Sequence, residues 1–104
     1  MSENKEVIIN GIRYLPVQEE SSIKIVILQR GWVMIGRFSK EGYDCTLTNA
    51  YVIRRWGTSR GLGELAEEGE KSETVLDKAG TVKFDYLTVV ATIDCDEKKW
   101  SKII

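Results

Sequence analysis

Ile23-Lys24-Ile25-Val26-Ile27-Leu28-Gln29-Arg30-Gly31-Trp32-Val33-Met34-Ile35-Gly36-Arg37-Phe38 is the stretch on which the fold turns. Ile23, Ile25 and Ile27 alternate with Lys24, Val26 and Leu28, so one face of an extended segment is wholly apolar and the other mostly so. Strand side chains point alternately to two faces, and a strand apolar on both belongs inside a sheet or barrel. Gln29-Arg30-Gly31 breaks the run, and the apolar pattern resumes at once. Trp32, Met34 and Phe38 share one phase, while Val33 and Ile35 occupy the other. A glycine inside a strand marks a bulge or sharp bend, the role assigned here to Gly36.

Outward from this pair of strands the same chemistry continues. Tyr43, Cys45 and Leu47 alternate with Asp44, Thr46 and Thr48, which suits a strand with one solvated face. Thr48-Asn49-Ala50 reads as a corner, and Tyr51 to Trp56 as a further strand. Upstream, Val7 to Asn10, Gly11 and Ile12 to Val17 form a hairpin or one bent strand, with Pro16 confining its end to an edge. Gln18 to Ser22 is a polar connector.

Residues 57–80 are rich in glycine and acidic side chains and poor in β-branched ones, and read as a long loop. Leu62, Leu65 and Ala66 have the spacing of one or two helical turns, stopped by Gly69. Thr81 to Ile93 returns to strand chemistry, but the phase of Val82, Phe84 and Tyr86 slips to Leu87, Val89, Ala91 and Ile93. That slip predicts a bulge or a break at Tyr86-Leu87. Asp94 followed by Glu97 resembles a capping box, predicting a short helix over Cys95 to Lys102 with Trp100 docked on the sheet. The expectation is one mainly-β domain over residues 1–104: a small antiparallel barrel of five to six strands, a long Gly-rich loop and a short C-terminal helix.

Composition narrows the function. Fifteen basic and sixteen acidic residues leave a net charge of −1, so no global footprint for nucleic acid or membrane exists, and anion binding must be local. No apolar stretch approaches the about 20 residues that span a bilayer. The polar start from Met1 to Glu6 lacks the apolar region of a signal peptide, so the expected location is cytoplasmic. Cys45 and Cys95 then read as free, packed thiols.

Histidine is absent, which removes the commonest general base and the usual zinc ligand. The cysteines cannot form a Cys-x-x-Cys motif. The carboxylates at Glu64, Glu67, Glu68, Glu70 and Glu73, and at Asp94, Asp96 and Glu97, look like solvated surface without the spacing of a calcium loop. The expectation is a protein that is not an enzyme and holds neither metal nor cofactor.

One segment stands out as a ligand site: Arg54, Arg55, Trp56, Thr58, Ser59, Arg60, Gly61 and Gly63. Arginine forks take phosphate bidentately, hydroxyls donate to its oxygens, and an indole stacks on a base. On a strand Arg54 and Arg55 point to opposite faces, so at most one shares a side with Trp56. Gly61-Leu62-Gly63-Glu64-Leu65-Ala66 fits the dinucleotide pattern G-x-G-x-x-A in letters only, because Gly69 interrupts the helix a Rossmann unit needs. The glycines could instead present backbone N–H groups as an anion nest.

Between residues 26 and 53 the order of apolar run, Gly31, apolar run, Gly36, Asp44, Leu47 and Asn49-Ala50 resembles the pattern of the Sm-like and SH3-like small barrels. Asp44 is separated from Asn49 by Cys45-Thr46-Leu47-Thr48, which departs from the Sm uridine pocket, so the resemblance implies a barrel and no RNA-binding residues. Val52-Ile53-Arg54-Arg55-Trp56-Gly57, Gly61 to Ala66 and Thr74-Val75-Leu76-Asp77 together resemble a family of small uncharacterised phage and prophage proteins. That resemblance implies a phage origin, hence the host cytoplasm, and an anti-defence role such as sequestering a signalling nucleotide. The competing expectations are a protein–protein inhibitor or assembly factor acting on a host or phage protein, and a single-stranded nucleic-acid binder, which the near-neutral charge counts against. Unpaired edge strands point to a homo-oligomer.

Overall fold

The computed structural model describes residues 7–9, 12–14 and 22–104. Strands β1 (Val7–Ile9) and β2 (Ile12–Tyr14) pair as a small hairpin with Val7 opposite Tyr14. The edge position expected for Pro16 and most of the connector up to Ser22 lie outside the described residues. The main body is β3 (Ile23–Leu28), β4 (Trp32–Glu41), β5 (Asp44–Arg55), α1 (Leu62–Glu68), β6 (Val75–Asp85), β7 (Val89–Asp94) and α2 (Glu97–Trp100). Its five strands form one antiparallel sheet in the order β6-β5-β4-β3-β7.

β3 is flanked by β4 and β7, as its two apolar faces require. On one face Ile23 and Ile25 join Ile35 and Ile53, and α1 and α2 cover them with Leu65, Ala66 and Trp100. On the other face Val26 packs with Met34, Leu47 and Ala50, flanked by the Phe38 and Phe84 rings at 6.3 Å.

Gly36 makes the expected bend. The β4–β5 register shifts between Ile35 and Arg37, opposite the corner where Asn49 has φ of 53°. A Cβ at Gly36 would lie 3.1 Å from both Ala50 Cα and the Thr48 carbonyl oxygen, so any side chain here would have to push the β5 backbone back by a few tenths of an ångström. The corner sits inside one long strand, not between two.

Chain connectivity forces the sheet to curl. Asp85 of β6 pairs with Asp44 near one edge, and Val89 of β7 pairs with Leu28 at the other. Across a flat sheet β6 and β7 would lie about 19 Å apart, four strand spacings of about 4.8 Å. Only the 3-10 turn Tyr86–Thr88 joins them, and such a turn advances about 2 Å per residue, roughly 8 Å over this link. The sheet therefore rolls towards itself, turning Val26 and Leu47 inward. No register joins β6 to β7 among the described residues, so the roll stays unclosed.

Three expectations are corrected. Residues 57–80 are not one loop. α1 occupies Leu62–Glu68, and Val75 to Gly80 already belong to β6, with Leu76 opposite Ile53 and Lys78 opposite Tyr51. Their weak alternation reflects an exposed edge strand, kinked where Gly80 has φ of 76°. The C-terminal helix spans only Glu97–Trp100 and is capped by Asp96, which accepts from the Lys99 amide at 3.0 Å. Asp94, the expected cap, instead pairs with Lys24. Trp100 docks on α1 as well as the sheet side, its indole N–H donating to the Leu65 and Ala66 carbonyls at 3.2 Å each. The slip at Tyr86-Leu87 is the 3-10 break between two strands.

Candidate functional site

Arg54 and Arg55 end β5, where the register with β6 shifts at Arg54, and each meets a carboxylate from the returning chain. Arg54 grips Asp77 with Nε at 2.6 Å from Oδ2 and Nη2 at 3.2 Å from Oδ1. Arg55 Nη2 lies 3.4 Å from Glu73 Oε1. Both pairs are exposed, so each contributes only about 0–1 kcal/mol.

Past Trp56 the chain is clasped against the turn before β6. The Thr74 hydroxyl donates to the Trp56 carbonyl at 2.7 Å, and the Lys71 amide donates to that hydroxyl at 2.8 Å. Gly57, at φ of 71°, packs directly on the Glu73–Thr74 peptide. Trp56 is itself half-exposed and does not fill the core.

The remaining predicted residues converge on the start of α1. Thr58 donates to the Gly61 carbonyl at 2.8 Å, shaping the loop. Gly61 is the N-cap, at φ of 93°, and Gly63 lies in the first turn. The anion position at this helix start is taken by the chain's own Glu64. Its Oε1 accepts from the Arg60 amide at 2.9 Å and the Ser59 hydroxyl at 3.3 Å, with Arg60 Nε at 3.4 Å. Lys71 Nζ stands 3.8 Å from its other oxygen. A third-position glutamate reaching back to an N-terminal amide is the capping-box device, here served by the residue before the cap. Arg60 and Lys71 also hold Glu68 at 2.6 Å each. The Lys71 hydrogen bond and charge, with help from Arg60, keep the Glu68 carboxyl below its usual range. Of the predicted cations only Arg60 reaches this helix start; Lys71, which the sequence did not single out, is the other, and Glu64 and Glu68 occupy the space between them. The seven-residue α1 is followed by an antiparallel strand, which is not a Rossmann arrangement.

A different surface emerges along the 3-10 turn. The Tyr86 amide donates to the Tyr43 carbonyl at 2.8 Å, joining the turn to the β4–β5 hairpin. Lys40 Nζ sits 4.5 Å from the centre of the Tyr86 ring. At the other end of the turn, Leu28 has Val89 on one side and Trp32 on the other. Trp32, Tyr43, Tyr86, Leu87 and Val90, at 54%, 62%, 42%, 69% and 65% exposure, thus lie on this turn or on the strand ends and hairpin it links, a stretch called the seam below. Among the described residues the other exposed large apolar side chains are Trp56 at 42% and Ile103 at 38%. The phase slip marked this place in the sequence, but exposure of Trp32 and Val90 was not legible, because both sit in apolar runs.

An open cavity of about 690 Å³ lies at the tip of the β4–β5–β6 strands, where Ser39, Thr46 and Lys83 stand beside Glu41, Asp44 and Asp85. It includes none of the Arg54 to Gly63 residues. Cys45 and Cys95 are both free and buried. Burial pushes the Cys95 thiol up to about 12 and raises Cys45 as well. Among the described residues no cluster of His, Cys, Asp and Glu could hold a metal ion, and no helix is long and apolar enough to cross a membrane.

No known protein family matches this chain, and no curated protein does either.

Proposed function

We propose that this chain is a non-catalytic, phage-type protein-binding domain, an inhibitor or assembly factor that engages its partner through the seam of Trp32, Tyr43, Tyr86, Leu87 and Val90. The observation that carries the reading is the exposure of these five aromatic and aliphatic side chains on the turn and on the chain segments it links. Contiguous apolar surface on a small domain marks interaction sites, and Trp and Tyr are enriched among the residues that dominate binding energy. The curled order β6-β5-β4-β3-β7, a meander whose last strand returns to the first, supports assignment to the SH3-like small barrels.

Tagged protein in host lysate tests the reading. A discrete partner should be retained by the wild type and by Arg55→Ala/Arg60→Ala, and lost from Trp32→Ala/Leu87→Ser. Retention that instead depends on the arginines, or no retained protein, overturns it.

The Glu64 cradle favours a second reading, capture of a phosphate-bearing ligand at Ser59, Arg60 and Lys71. Its amide, hydroxyl and guanidinium already hold one oxyanion, and a dianionic phosphate would exchange with a singly charged carboxylate. Thermal-shift measurements with nucleotides check it, since a ligand of the folded state raises Tm. An absent shift, or one that survives Arg60→Ala, removes this reading.

A further inference from the structure

We propose that the outer edge of β7 pairs antiparallel with the same edge of a second copy of this chain, joining two sheets across a two-fold axis. Among the described residues β7 bonds only to β3, on one side, and Val90, Ala91 and Thr92 are exposed. The direction of its free groups follows from one contact. The Cys95 amide donates to the Ile23 carbonyl at 3.0 Å, so Cys95 faces β3. In an antiparallel strand a residue's N–H and C=O point the same way, and successive residues alternate. Ile93 and Ala91 therefore face β3 as well, while Thr92 presents its N–H and C=O outward.

The two edges of the sheet are chemically opposite. β6 carries Asp77, Lys78, Lys83 and Asp85 along its length and is kinked at Gly80, the charges and distortion by which proteins blunt an edge. Val89-Val90-Ala91-Thr92-Ile93 has no charge, no proline and no glycine, and three of its five residues are valine or isoleucine. Its one irregularity is at Val90, where the β3–β7 register shifts, and it carries none of the charges that guard β6.

A second copy fits this edge better than a charged partner does. With Ala91 of one copy opposite Ala91 of the other, Thr92 faces Val90 in both directions. The Ala91 amide faces β3, so the Val90 carbonyl in the same peptide faces out and accepts from the Thr92 amide of the other copy. Asp94 then falls opposite Thr88, so no carboxylates meet. A two-fold interface must be self-complementary in this way. The net charge of −1 per chain adds little repulsion. This inference goes beyond the binding reading, because it uses main-chain groups of β7; Val90 belongs to both surfaces, so Thr92→Lys, outside the seam, is the variant that separates them.

Sedimentation of the full chain over a concentration series tests it. The expected species is a dimer of twice 11.8 kDa. Val90→Lys and Thr92→Lys place like charges near the axis and should each weaken the dimer by about tenfold. Their melting curves should match the wild type, and Trp32→Ala/Leu87→Ser should leave the dimer intact. The Thr92 amide should exchange slowly in concentrated protein and quickly on dilution. A monomer at every concentration, a dimer indifferent to both lysines, or a Thr92 amide that exchanges quickly throughout overturns the proposal.

Discussion

A Cβ on Gly57 would fall 2.4 Å from the carbonyl carbon of Glu73, so the chain leaving β5 and the turn entering β6 touch backbone to backbone. The same glycine has φ of 71°, where side chains are strained. Gly57→Ala should cost at least about 2 kcal/mol, read as a lowered denaturation midpoint. Gly31 provides the control. It has φ of 82° but nothing within 4 Å of a would-be Cβ, so Gly31→Ala should cost only about 1 kcal/mol. Equal losses would show that the contact with Glu73 contributes nothing.

Trp100 separates packing from hydrogen bonding. Its ring is fully buried, so Trp100→Ala should cost about 3–5 kcal/mol. Trp100→Phe removes the indole donor, yet neither carbonyl is orphaned. Leu65 O still accepts from the Gly69 amide at 3.0 Å, and Ala66 O from the Asp96 amide at 2.9 Å. Calorimetry should therefore place Trp100→Phe nearer about 1–2 kcal/mol.

Alkaline stability should depend on Cys95. Burial, the largest cause, raises its thiol from 9.0 to about 12. Between these values the unfolded chain loses a proton that the folded chain keeps, so stability falls as pH rises. The slope for one proton is about 1.4 kcal/mol per pH unit. Wild type and Cys95→Ala, unfolded in urea at rising pH, should converge by this amount above pH 9. Parallel curves would contradict it.

Glu64 tests the occupied cradle. Glu64→Gln keeps an acceptor for the Arg60 amide but gives up the charge that faces Arg60 and Lys71, so stability should drop by no more than about 1 kcal/mol. If a phosphate ligand exchanges with this carboxylate, the same variant should bind it more tightly. An affinity that falls instead would show that Glu64 assists the ligand.

How legible each part was depends on how local its cause is. Ile23 to Phe38 announced two interior strands, because burial on both faces leaves a pattern in every residue. Gly36 announced its bend for a similar reason. Val75 to Gly80 did not read as strand, since their partners are Tyr51 to Ile53 and the pairing writes little into an exposed edge. For the candidate site, the cations of Arg54, Arg55 and Arg60 were visible as a cluster. Their partnership with Asp77, Glu73, Glu64 and Glu68 was not, because a run of carboxylates reads the same whether solvated or folded back onto a cradle.

The sequence by itself determined that this protein is built mainly of antiparallel strands, bent at Gly36 and broken at Tyr86-Leu87, because alternation and its interruptions follow directly from the period of an extended chain. Tertiary structure alone decided which surfaces are open. A three-residue turn between the two edges of a five-stranded sheet compels it to curl, and the curl carries Tyr43 and Trp32 to the two ends of one seam. The same folding sets Glu64 in the place where an anion would sit. Exposure and pairing are properties of contacts distant in the chain, so residue order alone could not supply them.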